Sequence, residues 1–258
     1  MKNIKFAEAS DIPEIRALWD IAFGSEKDFN DCFFSNFFDP QKALIFTIDG
    51  KIAAMTQMLD YNIPSFGDVT YIYGAVTHPN YRKKGIMSQL LEESFDIDKK
   101  NNRSGSVLIP ATAGLFDFYA RLGYKKAFYI KKTVYKAHTE DIYPVCTDDT
   151  AFLNSIYEKS LRDLPHPVRT PDYWAQQIKM FNTLGGFVFK TDTAYAFGYP
   201  DGIQELMGTN KGSLASGIAK KLHLFEISAT EAGTDTPFGM LKPYNKSFEN
   251  MYFNLMFN

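Results

Sequence analysis

The chain has 258 residues, of which 45% are apolar and 22% charged. That composition builds a substantial core and excludes a disordered chain; at ~150 residues per domain, the length fits one large domain or two small ones. The 28 basic residues against 30 acidic ones leave a net charge of −2, with no field that would draw in nucleic acid or an anionic membrane. Cys32 and Cys146 are too few for a disulfide framework and are expected as free, buried thiols. His78, His138, His166 and His223 lie far apart, and no Cys/His cluster has zinc spacing, so no metal site is expected. The N-terminus has no apolar signal segment and no apolar run is long enough to span a bilayer. The expectation is a cytoplasmic protein with no membrane partner.

Ile4 and Phe6 alternate with polar neighbours as in a short strand. Ser10-Asp11, Pro13 and Glu14 then signal a helix start, and Ile12, Ile15, Leu18, Trp19 and Ala22 continue at helical spacing. A second helix is expected over Lys27–Phe38, ending before Pro40. Two apolar runs, Ala43–Ile48 and Lys51–Met58, flank Asp49-Gly50 and read as a hairpin. After the turn at Ser65–Asp68, Val69–Thr77 is rich in Tyr, Val and Ile and reads as a strand. A helix follows from Ile86 towards Lys100, then a short buried strand at Val107–Ile109, a helix around Phe116–Leu122 closed by Gly123, and a strand over Phe128–Tyr135. Strands and helices alternate, which is an α/β pattern.

Asp141–Thr147 reads as a connector, after which the order restarts. Asp149, Leu153, Ile156 and Tyr157 echo Asp11, Ile15, Leu18 and Trp19; Phe189, Asp192 and Tyr195 echo Phe46, Asp49 and Ile52. A strand at Ile203–Met207, a helix at Lys211–Leu222, and strands at Leu224–Ala229, Gly239–Leu241 and Met251–Phe257 complete the expected set. The division falls between a first domain, 1–138, and a second, 139–258.

The stretch Tyr71–Leu91 carries the chemistry. A strand runs into the basic loop Tyr81-Arg82-Lys83-Lys84-Gly85, which opens a helix. The first turn of a helix has unsatisfied N–H groups and the positive end of the dipole, which suit phosphate, and a glycine there lets a ligand approach the backbone. A solvated basic turn has the same composition. Neither the Walker loop nor the dinucleotide fingerprint is present.

Val76-x-x-Pro79-x-x-Arg82-x-x-Gly85-Ile86, followed by Leu90-Leu91, resembles motif A of the GNAT superfamily of N-acetyltransferases. Phe118-Tyr119-x-x-Leu122-Gly123-Tyr124 resembles its motif B. The resemblance covers residues 1 to about 136, and the layout is similar to the tandem, enhanced-intracellular-survival type without its third domain. It implies a GNAT fold with a second, degenerate GNAT-like half and an acetyl-CoA-dependent transfer to a primary amine of a small molecule or peptide. By that resemblance Ala75, Val76 and Thr77 would hold the pantetheine arm, and Arg82, Lys83, Lys84, Gly85, Ile86, Met87 and Ser88 would form the pyrophosphate loop. Met87 departs from the small residue the family often carries there. Tyr119 would protonate the leaving thiolate, and the α-carboxylate of Asn258 would be a base or substrate anchor, as in tandem relatives. Tyr73, His78 and Asp117 are further candidate bases. Pro165-His166-Pro167 and Arg169 read as a rigid loop or a pocket wall, and the phenylalanines of the first two helices as core or as an aromatic pocket. The competing class is an acyl-CoA sensor or scaffold without turnover.

Overall fold

A computed structural model describes residues 2–24, 27–137, 143–246 and 250–254. The elements in chain order are β1 (Lys2–Phe6), α1 (Ile12–Phe23), α2 (Lys27–Asn36), β2 (Ala43–Ile48), β3 (Lys51–Ile63), β4 (Gly67–Thr77), α3 (Ile86–Lys100), β5 (Gly105–Leu108), α4 (Ala113–Ala120) and β6 (Lys125–Lys136). They continue as β7 (Val145–Cys146), α5 (Thr150–Leu161), α6 (Pro171–Thr183), β8 (Phe187–Lys190), β9 (Ala194–Tyr199), β10 (Gly202–Gly208), α7 (Lys211–Lys221), β11 (Glu226–Ala232) and β12 (Thr236–Pro243). The fold class is mixed α/β, as expected.

The chain divides into two compact units, neither of them contiguous: Met1–Lys125 with Gly239–Ser247, and Lys126–Phe238 with Phe248–Asn258. The single boundary at 138/139 read from sequence misses this interleaving. In the first unit the strand order is β1-β2-β3-β4-β5-β12, with β12 antiparallel to β5 from Met240↔Leu108 to Pro243↔Gly105. In the second unit it is β6-β11-β10-β9-β8-β7, with β6 antiparallel to β11 from Lys136↔Glu226 to Ile130↔Ala232. The order strand-helix-helix-strand-strand-strand-helix-strand occurs from β1 to β5 and again from β7 to β11.

Local chemistry accounts for most of these boundaries. Asp49 and Gly50 both have positive φ, +49° and +78°, and close the β2–β3 hairpin as the Asp-Gly pair requires. The start of α1 differs from expectation. The Asp11 carboxylate accepts from the Glu8 amide at 2.9 Å, capping a short 3-10 turn, while Glu14 accepts from the Ile52 amide of β3. Asp149 caps α5 through the Phe152 amide, and Thr170 caps α6 through the Tyr173 amide. β3 runs to Ile63 rather than Met58, because its polar second half pairs with Gly67–Tyr71. The expected strand at 251–257 is not formed over its described residues: Met251 makes one isolated bridge to Phe128, and 252–254 are not strand.

The first unit has apolar clusters on both faces of its sheet. Leu90, Leu91 and Phe95 of α3 pack with Tyr119, Tyr124 and Ile72 on one face, and Ile15, Leu18, Trp19 and Phe33 of α1 and α2 pack with Met55 and Val76 on the other. In the second unit, Trp174, Phe181 and Phe197 anchor one cluster, and Leu214, Ile218 and Leu206 the other. Cys32 is buried as expected, but Cys146 is exposed, since β7 is a short outer strand; neither forms a disulfide. Among the described residues no helix is long and apolar enough to cross a membrane.

Candidate active site

β4 is shaped for a ligand along one edge. It pairs with β5 in parallel only over Val69–Tyr71, opposite Gly105–Val107. β5 stops at Leu108, two residues before Pro110, whereas β4 runs on to Thr77. Beyond Tyr71 the backbone of Gly74–Thr77 is therefore outside the β5 ladder. On its opposite side β4 stays paired with β3, but the register slips. Gln57 faces Tyr73 and Met55 faces Val76, so β4 has one residue more than β3 between these pairs. Gly74 lies in this bulge at φ +58°, and a Cβ there would meet the Trp19 ring at 2.2 Å. Gly74→Ala adds both the clash and left-handed strain, and is expected to cost about 1–3 kcal/mol of stability, read as a lowered midpoint in urea unfolding.

The strand feeds a compact loop. His78 caps a 3-10 turn over Pro79–Tyr81, its Nδ1 accepting from the Asn80 amide at 3.3 Å. Arg82 Nε donates to the Thr77 carbonyl at 3.0 Å, and Lys84 Nζ donates to the Asn80 carbonyl at 2.9 Å. These bonds make Arg82 and Lys84 braces of the loop, whereas the sequence assigns them simply as cofactor contacts. Lys83 and Gly85 both adopt left-handed backbone, at φ +61° and +73°, immediately before α3. Alternation of this kind turns successive amides into a shared concavity, and it abuts the helix N-terminus where the Ile86, Met87 and Ser88 amides have no intrahelical acceptor. Arg82–Gly85 are exposed, Met87 and Ser88 half-buried. The Ile86 side chain is buried in the α3 cluster, so only its backbone can serve a ligand.

Tyr119 lies in that same cluster, with its ring 5.1 Å from Phe118 and 5.7 Å from Tyr124, both edge to face. The side chain is 7% exposed. Its hydroxyl makes no hydrogen bond among the described residues, although Tyr124 nearby is bonded to Ser106 at 2.7 Å. Burial pushes the Tyr119 phenol up to about 12. It is thus a protonated donor at neutral pH, with no hydrogen-bond partner among the described residues.

The other named residues fall elsewhere. Asn258 lies outside the described residues, and so does His138. Tyr73 packs in the Trp19 aromatic cluster, His78 is spent on its turn, and Asp117 is exposed on α4. Arg169 is 2% exposed. Its guanidinium is fully buried, donating to both Glu205 oxygens at 2.6 and 2.8 Å and to the Asn254 carbonyl at 2.6 Å. In the second unit, the residue opening α7, Lys211, is ion-paired with Glu231 at 2.6 Å. Sequence reasoning missed Gln57, whose side-chain amide is buried with neither end hydrogen-bonded among the described residues. A glutamine inside an otherwise apolar strand run was the available signal.

Residues 3–127 match the model of the family described as acetyltransferase (GNAT) domain. No curated protein sequence matches the chain. Among solved structures, it is similar to a GCN5-related N-acetyltransferase from Kribbella flavida at 15% identity and a TM-score of 0.70, covering 93% of this chain and 70% of that one. It is also similar to a GCN5-related N-acetyltransferase from Sphaerobacter thermophilus at 12% identity and a TM-score of 0.53, covering 98% of each chain. Eis1 from Mycobacterium abscessus aligns at 13% identity with a TM-score of 0.60, over 89% of this chain and 65% of Eis1. At such identities the likeness is one of fold, and it extends well past the first unit. Residues 3–127 thus match an acetyltransferase (GNAT) domain, within a chain whose fold is similar to that of GCN5-related N-acetyltransferases.

Proposed function

We propose that the first unit transfers an acetyl group from acetyl-CoA to a primary amine by direct attack. The observation that carries this reading is the path of β4, which leaves its β5 partner after Tyr71 and runs directly into the left-handed Lys83–Gly85 turn of α3. The residues present fit acetyl-CoA. A long arm that hydrogen-bonds like a peptide suits the Ala75–Thr77 edge, and a pyrophosphate suits the amides at the start of α3. A Cβ built on Gly85 meets only Gln89, at 3.8 Å, so the loop has room for a ligand.

When bound, acetyl-CoA supplies a thioester acyl group. The amine nitrogen forms the new bond to the acyl carbon and the carbon–sulfur bond breaks. A backbone amide of the β4 bulge donates to the acyl oxygen as charge builds on it. Tyr119 donates its phenolic proton to the sulfur. The amine must arrive neutral; in the simplest scheme water takes its surplus proton and returns one to the Tyr119 phenolate, which closes the cycle. The test is enzymatic: thiol release from acetyl-CoA in the presence of a panel of primary amines, by wild type and Tyr119→Phe. A protein that only senses acyl-CoA would bind it and release no thiol with any amine.

A further inference from the structure

Gln57 is 0% exposed, and neither its amide oxygen nor its amide nitrogen has a hydrogen-bond partner among the described residues. Its surroundings make this unusual. Gln57 is paired with Tyr73, the residue immediately before the Gly74 bulge. It shares the face of β3 that carries Met55, and Met55 packs with Trp19, Phe33 and Val76. Trp19 stacks on Phe33 at 5.0 Å, and Tyr73 lies 5.7 Å from Trp19 and 5.5 Å from Phe33.

Other polar groups of this aromatic face are used. Trp19 Nε1 donates to Asn30 Oδ1 at 2.8 Å, and Asn30 Nδ2 donates to the Phe23 carbonyl at 2.7 Å and to Asp20 at 3.3 Å. Asn30, as buried as Gln57, thus satisfies both ends of its amide. A buried amide is ordinarily bonded, and one left unbonded is costly to keep. Gln177 of α6 is likewise buried with its amide unbonded among the described residues; Gln57 differs in lying beside the Gly74 bulge, which gives it the character of a group held for a ligand.

We propose that Gln57 is a specificity-determining residue of the acceptor site, selecting an amine that bears a neighbouring carboxamide or peptide group on an apolar body. This rests on the acetyltransferase reading above. A side-chain amide presents one donor and one acceptor side by side, which is complementary to the C=O and N–H of another amide. Gln57 reaches this face beside the Gly74 bulge, so an amine held there adjoins the backbone proposed to receive the acyl oxygen. A polycationic acceptor would need carboxylates instead, and Asp20 and Asp31 are engaged. Asp20 binds Arg16 and Asn30, and Asp31 binds Arg16 and Lys27. The half-buried rings of Phe23, Phe34 and Phe38 border the cluster, so a ligand that reaches Gln57 must displace them.

Three amines and one variant test this: phenylalaninamide, phenethylamine, which lacks only the carboxamide, and spermidine. Their binding is measured calorimetrically with CoA present, and their acetylation by thiol release from acetyl-CoA. Wild type should bind phenylalaninamide about tenfold or more tighter than phenethylamine. Gln57→Met, close in shape, should erase that difference while keeping or raising Tm, since it removes an unbonded amide. Failure of wild type to bind phenylalaninamide, equal affinities, a preference for spermidine, a preference that survives in Gln57→Met, or a Tm lowered by that change would each overturn the inference. Equal acetylation of both aromatic amines would defeat it and leave the transferase reading intact. Gln57-dependent binding of phenylalaninamide without thiol release would uphold the site and defeat the transferase reading.

Discussion

Tyr119→Phe is expected to lower kcat by about 10²-fold or more while leaving acetyl-CoA affinity unchanged. In the proposed reaction the phenol supplies a proton only as the sulfur departs, so its loss acts on the transition state rather than on ground-state binding. The structure makes this substitution unusually clean. The hydroxyl makes no hydrogen bond among the described residues, so its removal breaks none there and leaves the packing against Phe118 and Tyr124 in place. Stability should hold within ~0.5 kcal/mol. Because burial pushes the phenol up to about 12, the proton stays in place through neutral pH. Wild type should therefore show no alkaline loss of rate through this group until pH approaches that value. A variant with normal kcat would remove Tyr119 from the mechanism.

The second large effect lies in the other unit and concerns stability. Arg169 and Glu205 form a buried ion pair with both side chains 0% exposed. Glu205 also accepts from the Tyr195 and Tyr252 hydroxyls, each at 2.8 Å, so every acceptor direction is committed. The guanidinium lies 4.1 Å from the Tyr157 ring centroid and 4.8 Å from that of Trp174, and it holds the Asn254 carbonyl. Arg169→Met alone strands a buried carboxylate, and Glu205→Leu alone strands a buried guanidinium. Each should cost about 3–5 kcal/mol in denaturant unfolding. The double variant should recover only part of that loss: it removes both stranded charges, but the Tyr195 and Tyr252 hydroxyls and the Asn254 carbonyl lose these partners. Single variants that cost less than ~1 kcal/mol would show that water enters the site and solvates the survivor.

Much of the first unit was legible because its signals are local. Asp49-Gly50 demands positive φ and so names the hairpin; Gly85 ahead of an apolar 3.6-residue pattern names the start of α3. The loop and Tyr119 were legible as motifs. Other features depend on distant residues. Gly239–Ser247 falls in the first unit because β12 pairs with β5, a pairing between segments far apart in sequence that no window reveals. The second half of β3 alternates Asp60 and Asn62 with Tyr61 and Ile63, and it becomes strand only through β4. Arg169 follows a Pro-rich stretch that reads as a rigid loop or a pocket wall; only its distant partner Glu205 explains its burial. Gln57 is conspicuous only when the donors and acceptors around it are traced.

Calorimetric titration of acetyl-CoA into wild type and Gly85→Asp tests the central claim most directly. The substitution places a carboxylate where the Lys83–Gly85 turn is proposed to hold phosphates, at a backbone position with φ +73° and a strain cost of about 1–2 kcal/mol. A parallel Tm confirms that the variant is folded. Micromolar or tighter binding by wild type, weakened by about tenfold or more in folded Gly85→Asp, is the predicted result. Binding that the variant retains in full would move the cofactor away from this loop, and no binding by wild type would contradict the acetyltransferase account outright.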